Sequence, residues 1–136
     1  MSKSNENLNN LKFDCQKNKF YKIGKFSEML RVNVQTLRIY DKEGILCPKR
    51  SDTNRRGYTD EDFARAKIIL YLTRGLFINL NGVKLILKFL EKGRLKPELG
   101  LELIKDMVKS IGISDTEIAN NLKRYNDDIL DIFETL

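Results

Sequence analysis

Val34-Gln35-Thr36-Leu37-Arg38-Ile39-Tyr40-Asp41 is the stretch whose reading decides the fold. Val34 and Leu37 are three apart and share one helical face. Gln35, Thr36, Arg38 and Tyr40 are side chains of the kind that reach phosphates and base edges. Upstream, residues 20–30 contain Ile23-Gly24-Lys25-Phe26-Ser27-Glu28-Met29-Leu30, with apolar positions 23, 26 and 30 at helical spacing. Arg31-Val32-Asn33 is long enough only for a tight turn. A short helix, a turn and a second helix over Val34–Lys42 form the plan of a helix-turn-helix DNA reader. Gly44 stops the second helix, because glycine enters the left-handed conformation freely.

The charge is placed to suit that plan. The chain of 136 residues carries a net charge of +6. Residues 17–74 hold 14 Lys and Arg against 7 Asp and Glu, residues 75–98 hold 5 against 2, and residues 99–136 hold 4 against 8. A polyanion would be drawn to the first part and repelled by the last. There is no histidine, which removes the commonest general base, and Cys15 and Cys47 are too few to hold a structural zinc. The two cysteines read as small hydrophobes or idle thiols. No cofactor, metal site or enzymatic activity is expected. No apolar run reaches the roughly 18 residues of a membrane span. Residues 1–13, MSKSNENLNNLKF, lack the apolar core of a secretory signal. The expected location is the cytoplasm.

Residues 45–58 have no helical period, and Pro48 forbids a helix interior. Ser51-Asp52-Thr53-Asn54 is a turn cluster flanked by short arms near 48–51 and 55–58. The resulting hairpin carries Lys49, Arg50, Arg55 and Arg56 and reads as a wing that lies along the phosphate backbone. Thr59 caps a third helix, with Asp62 three residues on close to a capping box, running to near Arg74-Gly75. Asn79 or Asn81 caps a fourth helix over Gly82 to Glu91. Pro97 begins a fifth, with an apolar stripe of Leu99, Leu103, Met107 and Val108 up to Ile111. Ser114-Asp115-Thr116-Glu117 is a capping box that starts a last helix. Along it Ile118, Leu122, Tyr125, Ile129, Ile132 and Leu136 are spaced 4, 3, 4, 3, 4, a heptad seam. So short a seam cannot be stable alone and must pack on the body or on a second copy. We assign it to dimerisation.

The run Thr36-Leu37-Arg38-Ile39-Tyr40-Asp41-Lys42-Glu43-Gly44-Ile45-Leu46-Cys47-Pro48-Lys49-Arg50 can be set beside Ile23-Gly24, Phe26, Asn54-Arg55-Arg56-Gly57-Tyr58-Thr59 and Asp62. With these, residues 21–91 resemble the DNA-binding domain of the MerR superfamily of bacterial transcription regulators. Leu72-Thr73-Arg74 and Ile78–Leu87 are similar to the HspR heat-shock repressors, and less closely to the nitrogen regulators GlnR and TnrA. The resemblance implies a winged helix-turn-helix homodimer that binds and distorts a near-palindromic operator. The expected fold is mainly α. It has a flexible arm (1–18), a winged helix-turn-helix domain with a small β-hairpin wing (19–92) and a C-terminal helical dimerisation region (93–136). Asn33, Gln35 and Arg38 are expected at bases or nearby phosphates. Thr36 and Tyr40 would hold the backbone by their hydroxyls, and Lys49, Arg50, Arg55 and Arg56 would grip flanking phosphates. Lys42 and Tyr58 complete the DNA-binding set. RNA polymerase or a chaperone or other regulatory protein stands open as a further partner. The rival readings are a protein-interaction module of the same fold and an excisionase-like architectural DNA-binding factor.

This chain also departs from the family. No cysteine follows Cys47, residues 92–136 are too short for a large effector domain, and Gly57 stands where the family usually has a larger residue.

Overall fold

In the computed structural model, which describes residues 19–134, capping chemistry sets the helix boundaries. Helix α1 (Ile23–Leu30) ends at Arg31, which adopts the left-handed conformation (φ 61°), so the chain turns sharply there. Asn33 caps α2 (Val34–Lys42), its side-chain oxygen accepting from the Gln35 amide at 2.7 Å. Gly44 follows at φ 76°, where a Cβ would be strained. The expected helix pair and the expected glycine stop are both present.

The wing is a hairpin of β1 (Lys49–Arg50) and β2 (Arg56–Gly57), with Lys49 opposite Gly57 and Arg50 opposite Arg56. Asn54 supplies a left-handed residue at its tip (φ 64°). Tyr21 adds a bridge to Tyr58, the two exchanging backbone hydrogen bonds of 2.8 Å. Gly57 sits where this wing has no room for a side chain. A Cβ there would come within 2.9 Å of the Phe20 ring and 3.2 Å of the Tyr21 carbonyl oxygen, so glycine lets residues 20–21 close over the strand.

Helix α3 (Asp60–Leu70) opens with the complete reciprocal capping box of Thr59 and Asp62. It continues as a π-helical turn, Tyr71–Gly75. Together they form the axis of the molecule, packed against α1, α4 (Leu80–Lys92), α5 (Pro97–Ser110) and α6 (Asp115–Lys123). Asn79, not Asn81, caps α4, two residues earlier than the spacing suggests. The core is one cluster. Phe26, Leu30, Leu37, Leu46 and Tyr58 join Ile68, Ile69, Leu70 and Leu72 of the axis, then Val83, Leu101 and Ile129. Phe26 and Tyr58 stack nearly parallel with ring centroids 4.4 Å apart. Arg65 in α3 donates through Nε to the Ile45 carbonyl at 2.7 Å, pinning the segment after α2 to the axis.

Two expectations for the C-terminal third need correction. The helix after Ser114 is not continuous. It stops at Lys123, and Asn126 caps a 3-10 turn (Asp127–Ile129) that leads into α7 (Leu130–Glu134). Asn126 accepts from the Asp128 amide at 2.9 Å and donates to the Arg31 carbonyl at 3.2 Å. An asparagine that satisfies two orphan backbone groups outcompetes one more helical turn. The break folds the last segment back, so that Ile118, Leu122, Ile129 and Ile132 are buried within their own chain. Tyr125 stays exposed, its ring 4.7 Å from the Arg74 guanidinium, and Leu136 lies outside the described residues. Within the chain these four seam residues are core. In α5 it is Leu101, Ile104 and Val108 that face the core, while Leu99, Leu103 and Met107 point outward. The expected arm, residues 1–18, also lies outside the described residues.

Candidate nucleic-acid interface

Helix α2 has two distinct faces. Leu37 and Tyr40 point into the core, three residues apart. Gln35, Arg38, Ile39 and Lys42 are all exposed, and their i, i+3, i+4, i+7 spacing puts them on one outward stripe. Arg38 lies at the wall of a cleft of about 510 Å³ between α2 and the wing, with Lys22, Asp41, Arg55, Arg56 and Tyr58 among its lining residues. The cleft thus places four cations and one carboxylate beside the outward face of α2.

These cations differ in what holds them. Arg56 pairs with Asp41 at 3.3 Å and so ties the wing to α2. Lys49 is bound to the Asp62 carboxylate, which is 4% exposed and also caps α3 through Thr59. Arg50 donates to the carbonyl and the side-chain oxygen of Asn54, both at 3.3 Å, within the hairpin. Among the described residues neither Arg38 nor Arg55 has an acidic partner. The Arg56–Asp41 pair is half exposed, and such pairs contribute only about 0–1 kcal/mol. A phosphate arriving at the cleft can therefore recruit Arg56 at little cost, whereas Lys49 is fixed as part of the scaffold.

Several expected contacts stand elsewhere. Asn33 is exposed at the start of α2, but its side-chain oxygen is occupied by the cap, leaving the amide group to donate. Thr36 is half-buried, and its hydroxyl accepts from Arg74 at 3.5 Å. Tyr40 is 5% exposed, with burial lifting its phenol above the ordinary value and Arg74 and Thr73 partly opposing that. It stays neutral and holds α2 to the π-helical turn. Tyr58 is 1% exposed, stacked on Phe26, and its phenol is also raised by burial. Tyr40 and Tyr58 thus support the interface from beneath instead of forming its surface, Tyr40 beside the π-helical turn and Tyr58 against Phe26 under the wing. Ile39 and Lys22 are surface features that the residue types did not suggest. The helical spacing carried the signal for Ile39: once 37 and 40 face inward, 35, 38, 39 and 42 must face outward.

Among the described residues no helix is long and apolar enough to cross a membrane. Residues 21–90 match the family model described as MerR HTH family regulatory protein. The chain is also 28% identical, over 100 residues covering 73% of each chain, to the HTH-type transcriptional regulator ZntR homolog of Haemophilus influenzae. No solved structure matches it.

Proposed function

The chain belongs to the MerR family of helix-turn-helix regulatory proteins, and from that premise we propose that it is a transcriptional regulator that binds promoter DNA sequence-specifically as a homodimer. One observation supports this reading above the rest. The exposed stripe of α2 lies beside a cleft that holds Arg38 and Arg55 without an acidic partner among the described residues. Two guanidinium groups left unpaired in this way are suited to polyanion phosphates and to guanine edges.

In the proposed complex α2 enters the major groove. Gln35 and Arg38 read base edges, and Ile39 supplies apolar contact of the kind a thymine methyl accepts. The Asn33 amide and Lys42 hold phosphates at the two ends of the helix. Lys22, Arg55 and Arg56 follow the flanking backbone, which supplies affinity without sequence information. Two copies on a near-palindromic operator would bring two such helices to successive half-sites and distort the DNA between them. The protein would act in the cytoplasm, where bacterial DNA lies.

Gel shift and salt titration with genomic fragments and random duplex test this. Arg38→Ala is expected to weaken binding to the preferred site by roughly 1–3 kcal/mol and to leave random-sequence binding less affected. Arg55→Ala with Arg56→Ala should weaken both, and should flatten the salt slope by about one unit per lost contact. A protein that shows no salt-dependent DNA binding at all would be an interaction module instead.

A further inference from the structure

A second cleft, of about 490 Å³, opens where the link between α2 and the wing meets α3 and the end of α4. Its volume falls within the range of about 300–1,000 Å³ typical of small-molecule sites. One wall is the link itself, Gly44 to Lys49, and α3 contributes Glu61, Asp62 and Arg65. Leu87 and Leu90 of α4, with Leu95 and Pro97 at the passage into α5, supply an apolar side.

The charges in this cleft are unevenly satisfied. Lys49 and Asp62 are paired with each other. Arg65 is only half engaged. Its Nε donates to the Ile45 carbonyl, but Glu91 stands 3.6 Å from Nη1, beyond hydrogen-bond length. Among the described residues the two terminal nitrogens of this guanidinium therefore make no hydrogen bond, although the side chain is only 27% exposed. Glu91 is shared with Lys88 at 3.5 Å and so is not committed to Arg65. Glu61 is exposed and has no ion-pair partner among the described residues. It precedes Arg65 by four positions, so the two stand on one face of α3, a helical turn apart. A guanidinium fork with free donors and a free carboxylate thus lie one turn apart beside an apolar wall.

We propose that this cleft binds a free α-amino acid with an apolar side chain. The ligand carboxylate takes the Arg65 fork in bidentate fashion. The ammonium faces Glu61, and the side chain lies on Leu87, Leu90, Leu95 and Pro97. A simple carboxylic acid leaves Glu61 unused, and an amine leaves the fork unused; a zwitterion satisfies both. The cleft holds Lys49 and Arg65 against Glu61, Asp62 and Glu91, so acids exceed cations by one. That balance disfavours phosphates and other multiply charged anions. It separates this site from the cleft beside Arg38, where cations prevail. Ile45, whose carbonyl Arg65 holds, is part of the wall. An occupant therefore bears on the segment that joins α2 to the wing, and the assignment stands independently of the DNA-binding reading.

Titration of the isotope-labelled full chain with L-leucine, followed by amide NMR shifts, tests the site. Saturable shifts confined to the α2–wing link, the first half of α3 and the end of α4 are expected, with a dissociation constant on the order of 1 mM or below. Isocaproate keeps the carboxylate and the apolar body but lacks the ammonium, and should bind about fivefold or more weakly. Isopentylamine lacks the carboxylate and should bind at least as weakly. Arg65→Lys keeps the charge but loses the fork, and should weaken leucine binding by about tenfold. Should that variant fail to fold, Glu61→Gln decides, since it alters only an exposed side chain. It should bring leucine down to the level of isocaproate and leave isocaproate unchanged. Absence of saturable shifts up to about 10 mM leucine, or shifts that lie elsewhere, overturns the site. Equal affinity for leucine and isocaproate overturns the amino-acid assignment, as does a leucine affinity that neither variant moves.

Discussion

Two apolar stripes run along the C-terminal third, and they meet opposite fates. Ile118, Leu122, Ile129 and Ile132 follow a heptad repeat and are enclosed by their own chain, Ile129 at 0% exposure. Leu99, Leu103, Met107 and Ile111 follow a four-residue repeat and lie open. The more regular repeat is the one that is not a surface. Periodicity reports that a helix has an apolar face; it does not report what that face meets. Here the decision rests with Asn126, which breaks the regular helix and turns its second half onto the π-helical turn, where Phe133 approaches Tyr71 with ring centroids 6.2 Å apart.

Truncating one member of each stripe makes that contrast measurable. Ile129→Ala removes a fully buried side chain and is expected to cost about 2–5 kcal/mol. Met107→Ala removes a side chain that is 56% exposed and should change the stability of the isolated chain by no more than about 0.5 kcal/mol. Urea unfolding followed by circular dichroism, at concentrations too low for association, gives both values. Comparable losses at the two positions would mean that the stripes are not opposed as described.

The same contrast explains which parts of the molecule were legible in the sequence. The helix-turn-helix and wing are set by short-range signals: the Asn33 cap, Gly44 at φ 76°, the turn at Asn54 and the box of Thr59 and Asp62. Each acts within three or four residues, so each can be read from the chain alone. Residue type was a poorer guide to direction. Tyr40 and Tyr58 carry hydroxyls suited to phosphate, but both rings sit in the core beside Arg74 and Phe26. Only the inward spacing of Leu37 and Tyr40 reveals that Ile39 faces out. Lys49 is basic and sits in the wing, yet Asp62, thirteen residues away, claims it. The fold-back of residues 124–134 depends on Arg31, ninety-five residues from Asn126 in sequence, and no local pattern announces so distant a partner.

The pivot of the comparison is open to a direct test of moderate size. Asn126→Ala removes the cap of the 3-10 turn and leaves the Arg31 carbonyl without its donor. The expected cost is about 1–2 kcal/mol, smaller than that of Ile129→Ala because the site borders solvent. If the cap is what keeps the last segment folded back, hydrogen exchange of the amides from Tyr125 to Phe133 should accelerate selectively. The helix-turn-helix amides should be unaffected. Uniform acceleration through the whole chain would assign Asn126 to global stability instead.

The smallest effect concerns charge at the same junction. Asp131 lies 4.0 Å from the Arg31 guanidinium, with 64% of its side chain exposed. Pairs this open and this long contribute close to nothing, so Asp131→Asn should leave stability within about 0.5 kcal/mol. Its consequence should appear in DNA binding. Arg31 occupies the turn just before Asn33, and Asp127, Asp128 and Asp131 bring three carboxylates to the segment hydrogen-bonded there. In the proposed complex that is the end of α2 nearest the groove, so the acids would oppose phosphate. Neutralising Asp131 should tighten binding modestly at low salt, and the gain should fade as the Debye length falls to about 8 Å near physiological ionic strength. A gain that persists unchanged at high salt would point to a direct contact and not to repulsion across solvent. No gain at any salt would place the folded-back segment outside the DNA path and sharpen its role to that of a structural brace.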